Sequence, residues 1–137
     1  KDIVSEIFWT KWEPGFPELP QVWVSDQYNL YSSSREESLT EKEILKRVQS
    51  FINKLKVPGV YRVGGLGACT LISKKALRAG VNFREIYNIS FVGEDRHFCI
   101  RAAALGFQLF VDTHYPAYHI YRLSDLEDLE EYKQRSN

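Results

Sequence analysis

Glu94 and Asp95 are adjacent carboxylates at the start of a predicted helix, and the strand after that helix leads towards Asp112, His114 and His119. Carboxylates so placed can move protons, and a neutral imidazole at a strand end is a usual ligand for a divalent ion. A helix N-terminus favours an anion by about 0.3–1 kcal/mol, so Asp95 is expected to stay ionised near neutral pH without special burial. On pattern alone, helix capping is the simpler account of the pair. An ordinary surface or core position is likewise the simpler account of either histidine. His97 follows Glu94 at a Glu-x-x-His spacing, but the second copy that a di-iron bundle needs is absent, so His97 is read as solvated.

The elements that position these groups can be traced along the chain. Glu94 to Leu105 reads as one amphipathic helix with Phe98, Ala102 and Leu105 on one face, closed by Gly106. Phe107 to Val111 follows as a buried-type strand. Upstream, residues 1–31 read as two strands around a turn, because Pro14, Pro17 and Pro20 exclude regular structure between Trp12 and Pro20. The second of these strands is expected over Gln21 to Tyr31. Thr40 and Glu43 form a capping-box pattern ahead of a helix whose apolar face is Ile44, Val48, Phe51, Ile52 and Leu55. Ala68 to Ile72 reads as a buried strand, and Ser73 caps a short helix that stops at Gly80. Ser124 and Glu127 repeat the capping-box pattern before a final acidic helix. The order is α/β, with helices packing on a mostly parallel or mixed sheet.

Between two of these elements lies Gly64-Gly65-Leu66-Gly67. A strand and not a helix follows it, so it is no dinucleotide fingerprint. Its glycines would let the backbone approach a ligand closely, or simply make a tight turn.

The 137 residues suffice for one core, and apolar residues make up 44% of them, which argues against disorder. Eighteen basic residues balance eighteen acidic ones without a basic stripe, which disfavours a nucleic-acid partner. No run approaches the ~20 apolar residues of a membrane span, and no secretory signal is visible. Cys69 and Cys99 both have apolar neighbours and read as buried free thiols. That suits a reducing, cytoplasmic setting, peripheral to a membrane at most. The sequon Asn88-Ile89-Ser90 carries weight only in a secreted protein. The sequence has no methionine and opens within an apolar, strand-like run, so residues 1–137 are expected to form one partial domain of a larger catalytic unit.

VGGLGACTLISKKAL followed by GEDRHFCIRAAALGFQLFVDTHYPAYHIYR resembles the C-terminal, acceptor-side portion of a GT-A type mixed-sheet glycosyltransferase domain. The similarity is to the family 2 enzymes, with some likeness to Anp1-type mannosyltransferases, and spans roughly Val60 to Arg122. It implies a nucleotide-sugar donor, a carbohydrate or other hydroxyl acceptor, and a divalent metal, Mn or Mg. That metal would be held mainly by an upstream Asp-x-Asp motif, which these residues lack. The resemblance turns Asp95 from a cap into the base that deprotonates the acceptor, with Glu94 holding neighbouring hydroxyls. It makes His119 the metal ligand, with His114 and Asp112 as the alternative. Gly65 and Gly67 become substrate-binding glycines, Trp12 a platform for a sugar ring, and Arg122 a fork for the donor diphosphate. Trp9, Phe16 and Trp23 share the aromatic chemistry but could equally fill a core. A family 2 likeness implies inversion at the anomeric carbon, and an Anp1-type likeness implies retention. Two rival readings are a metal-dependent hydrolase built from Glu94, Asp95, Asp112, His114 and His119, and a non-catalytic carbohydrate-binding module using the tryptophans.

Overall fold

Alternation along Ile3–Thr10 buries Ile3, Ser5 and Ile7 on one side, as a strand with one covered face requires. The structure, a computed structural model, describes every residue except Pro14, Asp26, Phe91, Val92 and Asn137. In chain order the strands are β1 (Ile3–Thr10), β2 (Leu19–Pro20), β3 (Val22–Trp23), β4 (Val60–Val63), β5 (Gly65–Leu66), β6 (Thr70–Ile72) and β7 (Leu109–Ala117). The helices are α1 (Glu41–Leu55), α2 (Lys74–Arg78), α3 (Glu94–Ala104) and α4 (Leu129–Ser136), with a 3-10 turn at Leu123–Leu126.

These elements make a small mixed α/β domain on a curled mixed sheet. β7 runs parallel to β1, with Ile3 opposite Leu109 and Ser5 opposite Val111. β4 pairs antiparallel with β7, while β6 and β2 pair antiparallel with the two ends of β1. β3 and β5 form a separate two-stranded ribbon. Between Glu6 and Phe8 the β1–β7 register shifts, because β7 spends the stretch from Asp112 to Ala117 on that short step. Such a bulge bends its strand and re-aims the side chains beyond it. Here it carries the chain towards His119.

The core joins Ile3, Ile7, Val63, Leu109 and Val111 of the sheet to Leu55, Ala76, Phe98 and Ala102 of the helices. Phe83 stacks on Phe98 at 4.3 Å between centroids. The Thr40 capping box forms as its pattern requires, with Thr40 N–H donating to Glu43 Oε2 at 2.8 Å. Ser73 caps α2. Gly80 and Gly106 both take positive φ after their helices. Among the described residues, no helix is long and apolar enough to cross a membrane.

Several sequence expectations change. Only Val22 and Trp23 of the predicted Gln21–Tyr31 strand pair, and Asp26 of that segment and Pro14 of the turn lie outside the described residues. The Ala68–Ile72 strand shrinks to β6 at the sheet edge, where Leu71 is 79% exposed and Cys69 is exposed as well. Leu105 is likewise exposed, since α3 has already ended and turned away. The strand after α3 begins at Leu109 and runs on through Asp112 and His114. Ser124 and Glu127 form no capping box. The carboxylate of Asp125 instead accepts the N–H groups of Tyr121 and Arg122, starting a 3-10 turn two residues earlier with Arg122 as its N-cap. His97 is buried and not solvated, its Nδ1 accepting the N–H of Ile86 at 3.1 Å.

Candidate functional site

Gly93 is the N-cap of α3, with a φ of 102° that only glycine adopts readily, and it makes no side-chain capping bond. Glu94 and Asp95 therefore occupy its first turn without serving as its cap. Glu94 is exposed and Asp95 half-buried. The Asp95 side chain lines a cleft of about 380 Å³ whose walls are Trp12, Leu19, Pro20, Trp23, Tyr28 and Leu30. Gln21 also lines it. The ribbon of β3 and β5 supplies Trp23, the β1–β2 hairpin supplies Trp12, Leu19 and Pro20, and the loop after β3 supplies Tyr28.

Burial in these apolar walls, followed by the neighbouring Glu94 charge, pushes the Asp95 carboxyl up to about 6 from an ordinary 3.8. Desolvation thus outweighs the helix terminus, whose pull on an anion is small. The expectation of a base ionised without special burial is corrected accordingly. Asp95 is poised near neutral pH, where a general base is most effective. The Tyr28 hydroxyl is pushed up to about 12 by burial and then by the charge of Asp95.

Such a shift has a stability signature. Because the folded state holds the Asp95 proton more tightly than the unfolded chain, its contribution falls as pH rises from the ordinary 3.8 through about 6. Asp95→Asn removes that penalty. Relative to wild type it should gain about 1–2 kcal/mol between about pH 4 and pH 7, roughly half the full conversion because the carboxyl is partly screened by solvent. Denaturant titrations of both proteins at the two pH values check this, and a constant difference would refute it.

His119 lies in a different cavity, of about 270 Å³, which also contains Thr10, Lys11, Glu18, Asp125 and Asp128. Its Nδ1 is 3.2 Å from Thr10 Oγ1, and its ring packs on Phe8 at 4.5 Å between centroids. Nδ1 is thereby engaged, leaving Nε2 as the nitrogen free to act as a ligand. His114 Nδ1 pairs with Asp112 Oδ1 at 2.7 Å on the exposed surface of the β7 bulge. Backbone and side-chain hydrogen bonds from His114 lower the Asp112 carboxyl below its ordinary value. The structure does not bring His119 and this pair together, and among the described residues no three His, Cys, Asp or Glu side chains could hold a metal ion. These residues by themselves do not make a metal site.

Trp12 links the two cavities. It lines the Asp95 cleft and meets the Tyr121 ring edge-on at 5.3 Å, and Tyr121 stacks on His119 at 6.0 Å. Arg122 secures this corner, donating to the carbonyls of Trp12, at 3.0 Å, and Lys11. Its two terminal nitrogens are engaged by the chain itself, while its Nε is buried with no hydrogen-bond partner among the described residues. Gly65 and Gly67 are buried, and a Cβ at either would press at 3.1 Å on Trp23 or on Gln21 and Phe8. Gly65 thus permits a close approach between β5 and β3, and Gly67 one of its own backbone to Gln21 and to Phe8 of β1. Cys99 is buried beneath the ribbon and accepts the Leu66 N–H at 3.2 Å.

The sequence places Tyr28 within the expected Gln21–Tyr31 strand and gives it no functional role. No periodicity in the sequence marks it as a neighbour of Asp95. In comparisons with known proteins, no family model and no curated protein sequence matches this chain.

Proposed function

We propose that this chain is the acceptor-binding portion of a GT-A type glycosyltransferase that uses a nucleotide-sugar donor. The observation that carries the reading is Asp95, a carboxyl held near neutral pH in a cleft walled by Trp12, Trp23 and Tyr28. Aromatic faces suit the apolar C–H faces of sugar rings, and the Asp95 carboxylate supplies a proton acceptor among them. In the reaction, an acceptor hydroxyl gives its proton to Asp95 as its oxygen bonds to the anomeric carbon. The bond to the nucleoside diphosphate breaks on the far side. Glu94, exposed on the same helical turn, would hold neighbouring acceptor hydroxyls. A divalent ion belongs to this reading chiefly through an upstream motif, with His119 Nε2 as the contribution of this chain. Direct displacement with Asp95 as base corresponds to the inverting, family 2-like course.

A polypeptide carrying this chain together with the upstream half that the resemblance implies should release nucleoside diphosphate from a nucleotide-sugar in the presence of an acceptor. Residues 1–137 alone should not exceed a buffer blank. Turnover by residues 1–137 alone would overturn the two-half reading. Saccharide binding in the cleft with no transfer by the longer polypeptide, across a panel of nucleotide-sugars, would leave the carbohydrate-binding module as the better account.

A further inference from the structure

Tyr28 holds its backbone in the left-handed region, with φ at 57°, a costly conformation for a bulky residue that persists only where the surroundings enforce it. Three contacts do so. The ring meets Trp23 edge-on at 4.2 Å between centroids. The Arg96 guanidinium lies over its face at 4.5 Å. The hydroxyl sits so close to Gly93 that a Cβ there would be 2.9 Å from it. Gly93 and Arg96 flank Asp95 in sequence, so the loop after β3 is fastened to both sides of the first turn of α3. Asp95, Trp23 and Tyr28 line the large cleft together, and with Gly65, Arg96 and Cys99 they close a narrow recess beneath it.

We propose that Tyr28 is a positioning residue: its ring, locked between Trp23 and Arg96, forms the wall that keeps the Asp95 carboxylate out of bulk water and presented to the cleft. The inference rests on the reading of Asp95 as the acceptor base. Among the described residues, the titratable groups that interact with Asp95 are Glu94 and Cys99 on its own helix and Tyr28 on the loop, while Arg96 acts on Tyr28. The ribbon contributes only the uncharged Trp23 and Gly65 to the recess. Tyr28 itself carries no positive charge, so removing its ring removes apolar cover from Asp95.

The test is an NMR titration of the Asp95 carboxyl in residues 1–137, for wild type, Tyr28→Phe and Tyr28→Gly. Glycine adopts positive φ without strain, so the loop backbone loses nothing by the change. Tyr28→Asn, which also tolerates a left-handed backbone, substitutes if the glycine variant melts early. Tyr28→Phe should leave Asp95 titrating near 6, and Tyr28→Gly should bring it down towards 3.8. In the longer polypeptide, the acid limb of the kcat/KM profile should move down in parallel. The value at neutral pH should drop on the order of ten-fold through lost positioning. An unchanged Asp95 titration in folded Tyr28→Gly and Tyr28→Asn overturns the inference even if the wild type transfers sugar. A lowered titration with no transfer by any of the proteins upholds the positioning role and overturns the base assignment.

Discussion

Asp95→Asn in the longer polypeptide is expected to lower kcat by about 10²–10⁴-fold, or roughly 3–5 kcal/mol in the barrier. Asparagine matches aspartate in shape, and no helix cap is lost because Gly93 occupies that position without a side-chain bond. The variant should therefore fold, and at neutral pH be somewhat more stable than wild type. What it lacks is a group that can accept the proton of the acceptor hydroxyl. The loss should fall on kcat, with donor binding little changed, since a base acts mainly in the transition state. The wild-type rate should rise with pH through a midpoint near 6, where Asp95 loses its proton. That limb should vanish in the variant. Glu94→Gln should do less to kcat and more to acceptor KM, because Glu94 is exposed at the rim. Steady-state transfer with a parallel thermal melt decides the matter. A folded Asp95→Asn enzyme keeping more than about a tenth of wild-type kcat would lie outside the general-base range and exclude Asp95 from that role.

What the sequence made legible was local. The α1 capping box, the Ser73 cap and the glycine after α3 are contacts between residues a few positions apart, and each formed where its pattern lies. The features that went unread depend on distant partners. Cys69 and Leu71 have apolar neighbours in sequence but are exposed at the sheet edge beside β1. His97 has charged neighbours yet turns inward to meet Ile86. Asp95 was legible as a carboxylate at a helix start, but its raised proton affinity comes from residues on a hairpin and a loop up to eighty-odd positions earlier. Helix dipole and neighbour charge can be estimated from sequence order. The desolvation that outweighs the dipole requires the fold.

The glycine run joins these two kinds of information. Gly64-Gly65-Leu66-Gly67 signalled a close approach of backbone to something, and the structure gives that partner as the segment from Gln21 to Ser25. Gly64 donates to the Trp23 carbonyl at 2.8 Å, and Gly67 donates to the Gln21 carbonyl at 2.9 Å. A Cβ on Gly64 would overlap the Val24 carbonyl and stand 2.8 Å from Ser25 Cα, so only backbone could yield. Gly64→Ala should therefore cost about 3 kcal/mol, the upper end for overpacking, because no side chain is present to swing aside. The change also pushes away the segment that carries Trp23 and, through its loop, Tyr28. The damage should reach the Asp95 cleft, lowering the Asp95 titration along with the melting temperature. Gly80→Ala is the control. A Cβ there meets nothing within 4 Å, and the substitution suffers only the strain of its φ of 100°. That strain costs about 1–2 kcal/mol, and the change should leave Asp95 untouched. Thermal melts and NMR titrations of the two variants separate the outcomes. If Gly64→Ala is no more destabilising than Gly80→Ala, the contact between the glycine run and the Val24–Ser25 backbone is not what requires the glycine.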